Sequence, residues 1–222
     1  MLSQSRDAAV SEPKHAVILC HPDPDSFNAA VAKAYCEAVS VNFHDVILRD
    51  LYSLKFDPVL KANEQPSVVE FVPLADVATE LDVISNANVI VLVYPIWFGT
   101  PPAMLKGYVE RVLGAGFGHR LMRERGEGSA VAGKHLVSIS TSGNCSQWLD
   151  SQGAMVSLHN VFDNYLANAF SMASHEHLHL SGITEDMGEL AARRELYRVT
   201  EFANQICAKL LHVKPALQAT IL

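Results

Sequence analysis

The stretch NVIVLVYP (88–95) constrains this chain more than any other. It is a run of strand-forming apolar residues without polar alternation, so a strand built from it is buried on both faces. Such a strand belongs inside a sheet covered by helices on both sides. The residues that follow extend the argument. Pro95, Ile96, Trp97, Phe98 and Gly99 form a short aromatic turn, and TPPAMLKGYVERV (100–112) then places Met104, Leu105, Tyr108, Val109 and Val112 at helical spacing. Thr100 suits the cap of that helix, and Pro101 and Pro102 suit its first turn.

The strand–turn–helix pattern recurs along the chain. HAVILC (15–20) reads as a strand, followed by a helix over 25–39 with Phe27, Val31, Ala34, Tyr35 and Ala38 in phase. DVILRDLY (45–52) is a second strand, and 74–87 a helix carried by Val77, Leu81 and Ile84. KHLVSIST (134–141) and HEHLHLS (175–181) are the fourth and fifth strands, with a helix around 155–170 between them. A long helix over 184–212 closes the chain, with Thr184 as its cap, acids in its first turn and bases later. Five strands alternating with helices predict an α/β doubly wound parallel sheet with right-handed crossovers. Ligands in such sheets bind beyond the carboxyl ends of the strands. The length fits one such domain over 14–222, after a polar tail over 1–13. The Gly-rich, charged segment 114–133 reads as a surface excursion.

Composition excludes several classes. A net charge of −7 opposes nucleic-acid binding, which relies on Lys and Arg neutralising phosphates. No apolar run reaches the roughly 18–20 residues of a membrane span, and the N-terminus lacks the apolar core of a signal peptide. Cys20, Cys36, Cys145 and Cys207 are scattered without a CxxC pair, as expected of reduced thiols in a cytoplasmic protein. His175, His177 and His179 alternate on one strand face, but same-face neighbours stand about 7 Å apart, so convergence on one metal is strained. No metal site is expected. With Leu178 and Leu180 toward the core, the histidines are expected on a solvated or interface face, or one of them reaching an acceptor pocket.

Three loops lie at strand carboxyl ends. HPDPDSFN (21–28) precedes a helix, where free backbone N–H groups and the helix dipole favour an anion, with Ser26 and Asn28 as added donors. Helix capping by Asp25 or Ser26 is the alternative. Asp23 and Asp25 would repel a phosphate unless they face solvent or cap backbone. Neither GxxxxGK[ST] nor GxGxxG is present, which excludes a triphosphate P-loop and the usual dinucleotide fingerprint. The aromatic turn offers a wall for a planar ring. STSGNCSQW (140–148) offers small residues that let backbone approach a ligand. A planar molecule with a phosphate tail satisfies all three, and a flavin nucleotide is such a molecule.

The segments HPDPDSFN, DLYSLKFDPVL (50–60), YPIWFGTPPAMLKGYVERV (94–112) and GKHLVSISTSGN (133–144) resemble the flavodoxin-like NAD(P)H:quinone oxidoreductases. That family includes DT-diaphorase-type enzymes, modulator-of-drug-activity proteins, azoreductases and the potassium-efflux ancillary reductases. The resemblance runs from about His15 to about Gln152. It implies strand order 2-1-3-4-5, a bound flavin and a homodimer with two sites at its interface. It places His21, Ser26, Phe27 and Asn28 at the flavin phosphate. Pro95, Ile96, Trp97, Phe98 and Gly99 would lie along the ring, and Thr141, Ser142, Gly143 and Asn144 at its pyrimidine edge. FMN is favoured over FAD, since no adenine pocket is evident.

The implied activity is a ping-pong transfer in which NAD(P)H delivers hydride to flavin N5 and a quinone then collects it. Trp97, Phe98, Trp148 and His159 would line the acceptor pocket, and Arg123 or Arg125 could meet the nicotinamide phosphates. Two departures stand out. PIWFG lacks the glutamine that DT-diaphorase-type members carry before the tryptophan. Trp148 stands where those members have a tyrosine, and His159 falls a few residues late for their histidine, so no Tyr–His relay is assigned. A regulatory subunit of a membrane transporter and a one-electron carrier are the alternative readings.

Overall fold

The computed structural model describes residues 12–65, 71–116 and 129–212. Five parallel strands form the sheet: β1 (Lys14–Leu19), β2 (Asp45–Asp50), β3 (Val89–Pro95), β4 (His135–Thr141) and β5 (Ser174–Leu180). Their order is β2-β1-β3-β4-β5, as the resemblance implied. Strand β3 is buried along its whole length, and its two faces explain its missing alternation. Val89, Val91 and Val93 pack toward α1 (Phe27–Val41) and the closing helix. Ile90, Leu92 and Tyr94 pack toward α2 (Ala75–Ser85) and α3 (Ala103–Tyr108) on the other side. Both covers are apolar, so both sets of side chains must be apolar too.

The helices depart from expectation where side chains have other uses. Thr100 does not cap α3; it pairs with Trp97, and the helix starts at Ala103 behind Pro102. Helix α3 continues into a π turn (Val109–Leu113). At Gly107 it passes so close to the chain that a Cβ there would lie 2.2 Å from the carbonyl oxygen of Pro58. The loop after β4 holds α4 (Ser146–Ser151), which apolar spacing did not reveal. The expected 155–170 helix is α5 (Ala154–Leu158), a π segment (His159–Asn164) and α6 (Tyr165–Ala169).

The closing helix α7 begins at Glu189 and ends at His212, so Thr184 is not its cap. The Thr184 hydroxyl serves the Asp186 carboxylate instead, and Thr184 closes a separate turn through its carbonyl and the N–H of Met187. Gly188 marks the break, since glycine inside a helix costs about 1 kcal/mol. No helix among the described residues is long and apolar enough to cross a membrane. The expected tail over 1–13 lies almost wholly outside the described residues, as do Arg123 and Arg125.

Candidate active site

The loops after β1, β3 and β4 meet at one end of the sheet. Ser26 is the N-cap of α1, and its hydroxyl oxygen accepts the N–H of Ala29 at 3.2 Å. Of the two roles open to Ser26, capping is the one observed, and it takes this side chain away from a ligand. The N–H groups of Phe27 and Asn28 lie in the first turn of a 15-residue helix, where no intrahelical acceptor exists. Asp23 spends one carboxylate oxygen on the N–H of Asp25, at 2.9 Å. His21 Nδ1 accepts the N–H of Asp23 at 3.1 Å, and its ring stands 5.7 Å from that of Trp97.

Asn28 and Thr141 are both buried and bonded to each other, the amide nitrogen 3.0 Å from the hydroxyl oxygen. Asn28 therefore ties the start of α1 to the end of β4. Backbone bonds align the other loops: Ile96 N–H donates to Thr141 O at 2.7 Å, and Ser142 N–H to Leu180 O at 3.0 Å.

The turn after β3 is a two-residue hairpin. Trp97 and Thr100 exchange N–H···O bonds of 3.0 and 3.2 Å, and Phe98 (φ 52°) and Gly99 (φ 83°) both have positive φ, as a type I′ turn requires. Glycine adopts that conformation freely; in phenylalanine it costs about 1 kcal/mol. The turn holds the Phe98 ring wholly in solvent, 108% exposed.

Two adjoining cavities result. One, of about 600 Å³, touches His21, Asp23, Asp25, Phe27, Asn28, Pro95, Trp97 and Thr141. The other, of about 430 Å³, touches Phe98, Gly99, Asn144, Trp148, Leu149 and Gln152. Ile96, Ser142 and Gly143 line both. A Cβ on Gly143 would meet only ordinary contacts, Ile183 O at 3.6 Å being the nearest. The chain's own packing thus does not demand glycine there.

The chain belongs to the flavodoxin-like fold family. The family match spans residues 13–200. Over 195 residues the chain is 31% identical to an uncharacterized NAD(P)H oxidoreductase of Haemophilus influenzae, covering 84% of this chain and 96% of that one. It is 30% identical over 150 residues to NAD(P)H dehydrogenase [quinone] 1 of Cavia porcellus, which covers 60% of this chain but 54% of that enzyme. General stress protein 14 of Treponema denticola, solved in complex with FMN, shares the fold at a TM-score of 0.60 and 20% identity, with 89% of this chain and 99% of that one covered.

His159 is not among the residues that line either cavity. Its Nδ1 lies 3.1 Å from Asp163 Oδ2, and its ring packs edge-on against His177 at 4.6 Å. The solvated face expected for the β5 histidines holds at His175, which is exposed, but not at His177 and His179, whose rings are bonded within the protein. The His177 side chain is 1% exposed and bonds Asp163 and Ser140. His179 bonds Ser140 and Ser142. The reason is register. Parallel pairing sets Ser138 beside His177 and Ser140 beside His179, so the serines of SISTS and the histidines of HEHLHLS share one face. That repeat of two in both segments was the signal by which this network could have been found. Asp23, Asp25, Ile183, Thr184 and Glu185 also line the larger cavity, and no motif pointed to the last three.

Proposed function

We propose that this chain is a flavin-dependent NAD(P)H:quinone oxidoreductase that uses FMN. The observation that carries the reading is the double cavity at the carboxyl ends of β1, β3 and β4, with the first turn of α1 at one end and the rings of Phe98 and Trp148 at the other. The residues fit the group. Unpaired N–H groups and the helix dipole at Phe27 and Asn28 suit a phosphate. The open side of Gly143 lets backbone approach a ring edge, and its N–H with that of Asn144 would stabilise charge developing there. The chemistry supplied by a bound flavin is hydride acceptance at N5 and two-electron reduction of a second acceptor.

The protein's part is placement. Asn28 and Thr141 lock the phosphate end to the ring end. Trp97 closes one chamber, and the strained Phe98 turn and Trp148 form the apolar slot in which nicotinamide and quinone stack in turn. The names of the Haemophilus and Cavia relatives support the nicotinamide and the quinone, and the FMN complex of the Treponema neighbour supports the cofactor.

Rings as exposed as Phe98 and Trp148 also suit a homodimer whose partner completes each slot, and four unpaired cysteines suit a cytoplasmic setting. Chromophore extraction with mass spectrometry should return FMN. Rapid mixing with NADH and NADPH should bleach the flavin, and menadione should restore it. A flavoprotein that neither nicotinamide reduces would overturn the enzyme reading.

A further inference from the structure

Beneath the acceptor slot runs an unbroken line of polar side chains to which the proposed function assigns no part. Asp163 Oδ2 lies 2.5 Å from His177 Nδ1. His177 Nε2 lies 2.6 Å from Ser140 Oγ, which lies 2.8 Å from His179 Nδ1. His179 Nε2 lies 3.0 Å from Ser142 Oγ, and Ser142 lines both cavities. At the inner end, Ser138 donates to the other Asp163 oxygen at 2.7 Å. His159, its side chain 39% exposed, shares Asp163 Oδ2 with His177 and so gives the line a solvent end. We infer that His159, Asp163, His177, Ser140, His179 and Ser142 form a proton relay that carries a solvent proton into the acceptor slot.

The inference rests on the oxidoreductase reading, whose balance requires such a proton. NAD(P)H, a quinone and one proton give NAD(P)⁺ and a hydroquinone. The nicotinamide C–H bond breaks with both its electrons, which supplies two electrons and one hydrogen nucleus. The second hydrogen nucleus must come from solvent. The slot walls Phe98, Trp148 and Leu149 offer no acid, and Trp148 carries only an indole N–H.

The line can be hydrogen-bonded throughout in two ways. In the loaded state His177 is an imidazolium, donating from Nδ1 to Asp163 and from Nε2 to Ser140. Ser140 then donates to His179 Nδ1, and His179 Nε2–H donates to Ser142. The Ser142 hydroxyl turns to its alternative acceptor, Asn144 O at 3.0 Å, or to a molecule in the slot. When Ser142 gives up its proton, each link passes one along. His179 changes tautomer, His177 becomes neutral, and every donor now points toward Asp163. Resetting requires the line to turn: the Ser140 and Ser142 hydroxyls rotate back, His179 and His177 return to their Nε2–H tautomers, and a solvent proton taken up at His159 then passes through Asp163 to the freed Nδ1 of His177. Every link from Asp163 to Ser142 stays hydrogen-bonded in both states, which an incidental polar cluster has no reason to achieve.

The surroundings suit the assignment. Burial, with His177 and Arg198 beside it, holds the His179 imidazole down to about 4, so it works by tautomer exchange rather than by carrying charge. The groups that face the line are Tyr94 from β3, Asp150 from α4, His175 from β5 and Arg198 from α7. Asp163 is the carboxylate in contact with both His159 and His177. The same triad meets the loose geometry of a metal site. The two Asp163–histidine separations are hydrogen-bond lengths, however, and 2.5 Å between two ligand atoms leaves no room for an ion bonded to both at about 2 Å.

The test pairs a spectroscopic with a kinetic readout. In ¹⁵N NMR of the histidine rings, with or without flavin, His179 should change tautomer over the pH range in which the ring of His159, the solvent end of the line, titrates. Ser140→Ala should uncouple the two, and Ser140→Thr should restore them. In rapid mixing, Ser140→Ala should slow reoxidation by menadione roughly 10²-fold, the range of a lost general acid, and remove the solvent isotope effect. Reduction by NAD(P)H should change less than about twofold, since no proton is delivered there. His179→Gln interrupts the same line and should behave likewise, should Ser140→Ala fold poorly.

A His179 locked in one tautomer at all pH, or a Ser140→Ala protein that reoxidises at the wild-type rate, overturns the relay. Wild-type protein that NAD(P)H does not reduce overturns the function instead, and the ring spectra then test the relay independently of any turnover.

Discussion

Arg111 and Asp163 are both buried on the α3 side of the sheet, yet the clusters around them are built in opposite ways. Arg111 meets Glu64 through two bonds of 2.8 Å, Asp76 at 2.6 Å and the carbonyl of Asp57 at 2.5 Å, and its guanidinium lies over the Phe56 ring. Each donor has a fixed acceptor, and each charge has a fixed opposite. The guanidinium is raised above its usual range by Glu64, and both carboxylates are lowered, with Arg111 as the leading cause. No proton in that cluster has a second place to go. Around Asp163 nearly every group can both donate and accept: two imidazoles beside one carboxylate, and the Ser140 and Ser142 hydroxyls with two acceptors each. A closed cluster fixes geometry. An open one, leading from solvent to a cavity, moves charge.

The largest effect expected from this contrast is on stability. Arg111→Met leaves Glu64 buried and uncompensated, which costs about 3–5 kcal/mol, read from denaturant unfolding. Arg111→Lys should recover little, because an ammonium cannot reproduce the bidentate fork. The activity of the molecules that remain folded should be unchanged. If stability falls by less than about 1 kcal/mol, the fixed cluster is not holding the fold and the contrast fails.

Acid separates the two kinds of group by pH. His15, bonded to Tyr35 and His44, is held down to about 3, chiefly by burial, and His179 to about 4. Each is neutral when folded and takes up a proton when unfolded, once the pH falls below 6.5. The unfolded chain then binds more protons, so stability drops as pH falls, by up to roughly 1.4 kcal/mol per pH unit for each histidine. The sign for Glu64 and Asp76 follows from lowered carboxylates. Their contribution is complete above 4.5 and 3.8 and is lost as pH falls through those values and below. An unfolding series should therefore show two arms. His15→Gln should flatten the upper arm, and Arg111→Met the lower one. A single arm confined to pH below about 4 would show that the histidines make no contribution.

Asp163→Asn sharpens the functional half. The amide keeps the size and can still accept from Ser138 and donate to an imidazole, so the stability change should stay near 1 kcal/mol. It cannot balance an imidazolium, so reoxidation by a quinone should slow as it does in Ser140→Ala. A loss of stability as large as that of Arg111→Met would make Asp163 a fixed structural charge.

The sequence shows these parts unevenly. The sheet is legible because buried strands must be apolar on both faces, and NVIVLVYP and HAVILC have no other use. Strand order came through the resemblance, since periodicity says nothing about which strands are neighbours. The three loops were legible as loops. That Ser26 caps α1 while Asn28 holds Thr141 was not, because both are small polar residues suited to either task. Thr100 was misread because a capping residue and a hairpin residue look alike before a proline pair. The Asp163 line was hidden for a different reason. Its members come from three segments, and only the pairing of β4 with β5 sets SISTS against HEHLHLS. Arg111 gave no sign at all: in TPPAMLKGYVERV it reads as one more charge on a helix.

The smallest effect expected comes from that same helix and isolates what makes Arg111 different. Lys106 and Glu110 form an ion pair four residues apart on the outer side of α3 and its π turn, both well exposed. The chemistry resembles that of Arg111 with Glu64; the surroundings do not. Water already solvates both charges, so the pair gains little by meeting and loses side-chain freedom in doing so. Lys106→Ala should change stability by no more than about 0.5 kcal/mol, and salt should erase the difference. The loss in Arg111→Met should survive added salt, because a pair enclosed by Phe56, Glu64 and Asp76 is screened far less. A Lys106→Ala loss comparable to that of Arg111→Met would mean that charge pairing alone, without burial, fixes this side of the molecule.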